Sequence, residues 1–580
     1  MEIKVFWKLL SLITLLSPLC LGTAQKLSHL LSSDSFFVLG AENLQDHNSK
    51  LKVFIDEFQS QDVLSALKVL FPDATKALPI NPNNLIPQDY SDLTLLDLIG
   101  QETWIGLSAS SFNPLPAITF LSRTSPTGTE ILRQQIAEAS STQGTTRLIE
   151  GNFVFYKTKV ETNSFPDTVV YAQVDDIILI GTNPENIRGV LRRLAGNEEP
   201  SLMTTDSYKN TLGRLGSGNF YGYINLPAVA KLATRFGSGF GMDHLVKRIT
   251  GVINTSGVFA SVLRITPDGL HTVGAQALNP TAGATELLRL LSDPTPVPRE
   301  AIPFIPETAI GVSLRHVNLT GWWNWLHNLA ANTPDIGVDL DAMLFMLLGL
   351  DLRTDLLEWA GPQIATVTLP TEEVIEPEAT DLDLLGGTVY LVETSSQKAA
   401  QIGLKSTFVS LANAVATFAD PSGGDGNPIT TNREVGNIQV TSMTAFPGAT
   451  ISFAIAGDFA VISTNPNNLD AVIEAFAKHN SSIRPEFVNL IAEVPNNVQS
   501  INVIDTGAML ELISGEAPNQ LKLLSGLGGA DNLDFDAVTI ATKTIGDYLD
   551  FLSNHMGTNI TFSQVKENII LAFGKNEISW

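Results

Sequence analysis

The amino-acid sequence predicts an α+β fold, built as two tandem copies of a curved antiparallel β-sheet with helices packed on one face. Three observations lead there. A long motif occurs nearly twice: Val170–Leu191 reads VYAQVDDIILIGTNPENIRGVL and Ser452–Ile473 reads SFAIAGDFAVISTNPNNLDAVI. Tight-turn signals alternate with amphipathic runs, which favours antiparallel over parallel pairing. The 580 residues are 44% hydrophobic and only 16% charged, a balance that suits large buried cores. A fixed-order repeat of this length defines the structural unit.

The elements follow in order. At the N-terminus, Lys4 and Lys8 precede the apolar run Leu9–Leu21, and Gly22-Thr23-Ala24 supplies small residues before Gln25. Residues 1–24 read as a secretory signal peptide, with an apolar core too short to span a bilayer comfortably. A retained anchor is the competing reading. Cys20 is the one cysteine of the chain. Cleavage after Ala24 would leave none, and would exclude disulfides, thiol nucleophiles and Cys-ligated zinc together. The expected location is periplasmic or extracellular, with no membrane span once the signal is removed.

Repeat domain 1 is expected over 25–290 and repeat domain 2 over 307–580. A proline-rich linker separates them at 291–306, where Asp293–Pro306 holds five prolines. Four blocks align between the copies. Ser35–Leu44 matches Ala309–Leu319, a strand entering a helix. The runs starting at Leu95 and Leu356 match through Gly100 and Gly361, which read as helix-ending glycines. In the third block Asp175-Asp176 and Gly457-Asp458 form hairpin turns. Asn183 and Asn465 then suit N-caps, with Pro184 and Pro466 at the first helical position. Ile187, Val190, Leu191 and Leu194 follow at helical spacing. The fourth block pairs Tyr208–Leu232 with the run from Phe487. Phe562–Ile578 reads as a terminal hairpin. Pro370–Leu385 reads as an exposed acidic loop, and Ala342–Leu352 (AMLFMLLGLDL) as a buried helix.

The motif GTNPENIRGVLRRLAG (Gly181–Gly196), the block YKNTLGRLGSGNFYGYINLPAVAKL (Tyr208–Leu232) and the N-terminal signal resemble a family of bacterial envelope proteins. It is known as domain of unknown function 3352. The resemblance implies a duplicated architecture and an extracytoplasmic location. It brings no active site with it.

The residues themselves narrow the function. Against 35 Lys+Arg stand 60 Asp+Glu, a net charge of −25. Phosphate binding needs a basic face, so nucleic acid is not an expected partner. Ser395-Ser396-Gln397-Lys398 contains the S-x-x-K pattern without its partner motifs. The eight histidines include no H-x-x-x-H pair. Asp335, Asp339 and Asp341 cluster without EF-hand spacing. Glycine-rich loops at 215–219 and 236–239 lack the P-loop lysine. No catalytic, cofactor-binding or metal residue is therefore assigned, no cofactor is expected, and the chain reads as non-enzymatic.

One local feature remains. Trp322, Trp323 and Trp325 lie on one helix, with Trp322 and Trp325 on a shared face and Trp323 pointing elsewhere. They are the candidate ligand or interface contacts, weighed against plain core packing. The expected function is an exported binding or scaffold module of the envelope, with an envelope component as partner. The alternatives are a carrier of an apolar ligand or lipid in a sheet–helix cavity, and an extracytoplasmic hydrolase with a discontinuous site.

Overall fold

The computed structural model of the protein describes residues 26–63, 65–66, 101–109, 116–141, 144–159, 168–197, 199–237, 243–280, 285–331, 339–370, 387–419, 429–446, 449–478, 484–514 and 535–580. The expected signal peptide, Gly100, Asp335 and most of the acidic loop Pro370–Leu385 lie outside them. The fold is α+β and forms two compact units. Unit 1 is Met1–Ala284 with Asn532–Tyr548 and Trp580; unit 2 is Thr285–Asp531 with Leu549–Ser579.

Unit 1 contains β1 (Ser35–Glu42), β2 (Glu102–Ser108), β3 (Ala117–Arg123), β4 (Thr145–Glu150), β5 (Phe153–Lys159), β6 (Thr168–Val174), β7 (Ile177–Gly181), β8 (Phe220–Asn225), β9 (Val258–Thr266) and β10 (Gly269–Ala277). They pair in the order β4-β5-β6-β7-β3-β2-β1-β8-β9-β10, every pair antiparallel. Unit 2 contains β11 (Gly311–His316), β12 (Ala360–Thr368), β13 (Thr388–Thr394), β14 (Ile429–Val435), β15 (Ile438–Phe446), β16 (Ala449–Ala456), β17 (Phe459–Ser463), β18 (Ser500–Asp505), β19 (Met556–Lys566) and β20 (Ile569–Ile578). Their order is β14-β15-β16-β17-β13-β12-β11-β18-β19-β20, again antiparallel throughout. The two orders are the same, strand for strand.

The repeated motif builds the middle of each sheet. Asp175 (φ 53°) and Gly457 (φ 53°) take the left-handed backbone that a two-residue hairpin turn demands. β7 and β17 follow. Asn183 then accepts the Glu185 N–H at 2.9 Å, and Asn465 accepts those of Asn467 at 2.9 Å and Asn468 at 3.3 Å. Each cap satisfies amides that the first helical turn leaves open. Pro184 and Pro466 open the helices Pro184–Leu194 and Pro466–Ala477. The end of the chain is the hairpin β19–β20, which turns at Glu567 (φ 58°).

Helices cover both faces of the unit 2 sheet, not one. Successive strand residues face opposite ways. On β17, Phe459 and Val461 join a core with Leu469, Val472 and Ile473 of the helix Pro466–Ala477. Ala460 and Ile462 face the other way, onto Leu404 and Phe408 of the helix Gln397–Ala419. The signal was present in the run Phe-Ala-Val-Ile: a strand apolar at every position needs cover on both sides. The expectation of a single covered face fails on that alternation.

Two local expectations also change. Gly361 does not end a helix; it lies in β12, where a Cβ would meet Glu393 Cγ at 2.9 Å. Within the proline-rich segment 291–306, Val297, Ala301, Phe304 and Ile305 are buried in the main core of unit 2. Phe304 stacks on Phe476 with centroids 4.3 Å apart. The Val297 N–H donates to the Val498 carbonyl at 2.7 Å, so this stretch is packed as part of unit 2.

Gly403 shows how closely the long helix is docked. A Cβ there would lie 2.3 Å from the Asp355 carbonyl oxygen and 2.6 Å from Nε1 of Trp359, which is fully buried. The substitution Gly403→Ala should therefore overpack the site and lower stability by about 1–3 kcal/mol, despite the better helix propensity of alanine. Denaturant unfolding of the variant checks this; an unchanged or raised midpoint would contradict it.

Candidate functional site: an aromatic helical cap on unit 2

The three tryptophans lie on the helix Leu319–Ala331. It starts where Asn318 Oδ1 accepts the Gly321 N–H at 2.8 Å. Gly321 packs closely there: a Cβ would come within 2.7 Å of Leu290 Cδ2 and 2.9 Å of the Asn318 side chain. Trp322 and Trp325 meet edge to face, with centroids 5.6 Å apart. Trp323 turns away and donates its indole N–H to Asp341 Oδ1 at 3.0 Å. All three rings are half-buried.

Asp341 belongs to a second helix, Leu340–Leu348. Asp339 caps it by accepting the Ala342 N–H at 3.0 Å, and Gly349 (φ 65°) ends it. Asp341 joins three elements. Arg353, from the π-helical turn Arg353–Leu357, donates through Nε to Asp341 Oδ2 at 2.8 Å and through Nη1 to Asn324 Oδ1 at 3.1 Å. His327 Nδ1 lies 3.5 Å from the same Asp341 oxygen. Partial burial raises the pKa of Asp341. The Arg353 and Trp323 hydrogen bonds and the charges of Arg353 and His327 outweigh that, and hold the carboxyl below its ordinary value.

The same helix leaves its apolar residues in solvent. Phe345, Met346 and Leu347 are 63%, 78% and 57% exposed, and no residue of Leu340–Leu348 is buried. Leu326 on the neighbouring helix is exposed as well. This overturns the expectation of a buried helix over Ala342–Leu352, in which Leu350 alone is buried. An apolar run reads as core because burial is the usual fate of such residues. Here the run lies in solvent, and exposed apolar clusters of this kind are candidate interaction surfaces.

His327, Asp339 and Asp341 present ligand atoms within 4.8 Å of one another. The arrangement suits a hydrogen-bond hub better than a cation. Both Asp341 oxygens already accept from donors, Arg353 brings a positive charge to the site, and Asp339 stands at the electropositive start of a helix. The two serines of the S-x-x-K segment hydrogen-bond the main chain. Ser396 Oγ accepts the Ala399 N–H at 3.3 Å at the start of the helix Gln397–Ala419, and Ser395 Oγ donates to the Trp359 carbonyl at 3.1 Å.

Sequence reasoning missed a second polar cluster, in unit 1. Glu42 and Glu102 face each other across β1 and β2. Glu42 Oε2 accepts from Lys26 Nζ at 2.7 Å and from the Tyr221 hydroxyl at 3.1 Å. Glu102 Oε1 accepts from the Leu27 N–H at 2.7 Å and from Trp104 Nε1 at 2.9 Å. Burial drives the Glu102 pKa up. The Leu27 hydrogen bond works against this, the Glu42 charge adds to it, and Trp104 and Arg123 lower it. By accepting from Lys26 and Leu27, the two carboxylates anchor the start of the segment Leu27–Leu31 within unit 1, where Leu27, Leu30 and Leu31 are buried. No motif marks the pair; the signal was the placement of two glutamates at facing strand ends. In unit 2 the neutral Gln363 occupies the corresponding place on β12.

A family model described as "Protein of unknown function (DUF3352)" matches residues 129–499. No curated protein matches the sequence. Among solved structures, crystal form I of TP0453 aligns with 44% of this chain and 80% of its own, at 9% identity and a TM-score of 0.23. Crystal form III of the same protein aligns with 47% and 86%, at the same identity and TM-score. A likeness this slight supports no argument.

The two carboxyl groups should titrate in opposite senses. Asp341 has a lowered pKa, so its stabilisation is present above the unfolded carboxylate range and is lost as the pH falls through the folded value. Asp341→Asn should thus melt below wild type at neutral pH, with the gap closing on acidification. Glu102 has a raised pKa, so its contribution is full at low pH and is lost as the pH rises through the folded value. Glu102→Gln should gain on wild type at neutral pH and lose that gain in acid. Thermal melts of both variants across this range check the signs; parallel curves would refute the assignment.

Proposed function

The chain belongs to the DUF3352 family, and we propose that it is an exported, non-enzymatic binding module of the cell envelope. The helical cap of unit 2 is its docking face. The observation that carries this reading is the exposure of three consecutive large apolar residues, Phe345, Met346 and Leu347. A soluble domain that leaves such a cluster in water forgoes the stabilisation of burying it. Asp341 supports the reading, because it fixes the exposed helix to the tryptophan helix through Trp323 and Arg353. A hydrogen-bonded hub beneath an apolar tip presents that tip in a set orientation, as a binding surface requires.

The identical strand orders support a second element of the proposal: the two units are copies of one ancestral fold. The helix Asn48–Ser60 follows β1 as Leu319–Ala331 follows β11, and it carries no tryptophan. The shared sheet is then a common frame, and docking is a property of the second copy. Export is supported by the N-terminal segment. Lys4, Lys8 and the apolar run before Gly22-Thr23-Ala24 have the order of a secretory signal.

Fractionation of an expressing bacterium tests the proposal. The mature chain should begin at Gln25 and be retained with envelope material. The triple variant Phe345→Gln, Met346→Gln, Leu347→Gln should keep the fold and shift to the soluble extracytoplasmic fraction. A chain found in the cytoplasm with its first residues intact would refute export. Equal retention of variant and wild type would refute the docking face.

A further inference from the structure

We infer that the partner of the cap is a lipid surface without net charge, into whose outer acyl layer Phe345, Met346 and Leu347 insert. This rests on the docking reading above and names the occupant. The first argument is angular. Helical residues follow one another at about 100°, so three consecutive exposed side chains sweep about 200° of the helix. The groove of a protein partner covers one stripe, at i, i+3 and i+4 spacing. An apolar medium surrounds a helix from several sides at once, which is what this exposure pattern fits.

The second argument is charge. Ala342–Leu350 carries no ionisable side chain, while Asp339, Asp351 and Asp355 flank it. The nearby guanidinium of Arg353 is neutralised by Asp341 at 2.8 Å. The chain as a whole carries −25. An anionic surface, or a second copy of this chain, would be repelled as it approached. An uncharged apolar layer is complementary to the tip and indifferent to the rest. The third argument is the indole group at the base. Trp322, Trp323 and Trp325 are half-buried on the adjoining helix, Trp323 is bonded to Asp341 at the start of the exposed helix, and tryptophan settles at the level where headgroups meet acyl chains. The helix Leu340–Leu348 has nine residues, far short of a span, so it enters one leaflet only.

Flotation with vesicles tests this, using the full chain at low salt. Vesicles of pure phosphatidylcholine are compared with vesicles enriched in phosphatidylglycerol. Wild type should float with phosphatidylcholine, more weakly with the anionic vesicles, and with a blue shift of its tryptophan emission. The triple glutamine variant, matched to wild type by circular dichroism, should lose partitioning by roughly tenfold or more. The control Ile149→Gln, which removes another residue that is 57% exposed, should float as wild type does. Failure of wild type to float with phosphatidylcholine overturns the inference. So does flotation only with anionic vesicles, or flotation of the triple variant at the wild-type level. If wild type fails to float while the triple variant still leaves the envelope fraction, the lipid falls and the docking face stands with a protein partner. If the triple variant changes neither measurement, both fall.

Discussion

Unit 2 is organised around one short strand that is apolar on both sides. β17 sends Phe459 and Val461 one way, and Ala460 and Ile462 the other. A strand of that kind is stable only inside a sheet with cover on each face. The rest follows from the demand. The tight turn at Gly457 supplies one neighbour, β16, and β13 supplies the other. The Thr-Asn-Pro sequence ends the strand and starts a helix within three residues, so the chain returns at once over the face it has just left. The second face must be covered from elsewhere, and the helix Gln397–Ala419 covers it from earlier in the chain.

This constraint explains which parts of the fold were legible. Turns, caps and the first helical position are decided by a few neighbouring residues, so Asp175, Asn183 and Pro184 could be read directly, as could Gly457, Asn465 and Pro466. The antiparallel class followed from tight turns between strands. What could not be read was set by partners distant in sequence. Gly361 looks like a helix terminator when only its own neighbours are considered, and its place in β12 depends on β13. The both-faced core was latent in the Phe-Ala-Val-Ile run, but the identity of the second cover was not.

The candidate site divides along the same line. The pairing of Trp322 with Trp325 follows from helical spacing. The bond from Trp323 to Asp341 does not, because it joins two helices. The exposure of Phe345, Met346 and Leu347 ran against the ordinary rule, since hydropathy alone cannot distinguish a helix inside a protein from one projecting out of it. Physical position decides between them. Here position is enforced by a carboxylate whose oxygens are satisfied by an indole and a guanidinium. Unit 1 uses buried carboxylates differently, to hold a segment of main chain in its core.

That held segment bears on how the molecule comes into being. Leu27, Leu30 and Leu31 are among the first described residues, yet their fastening comes late in the chain. Glu102 grips the Leu27 amide from 75 positions further on, and Arg193 grips the Leu30 carbonyl from 163 further on. Synthesis runs in one direction, so the leucines emerge long before either fastening exists. Through that interval the nascent chain carries these leucines with nowhere to bury them. Such an unpacked segment is a natural handle for a chaperone, and it makes closure of the first unit a late event in the life of the polypeptide.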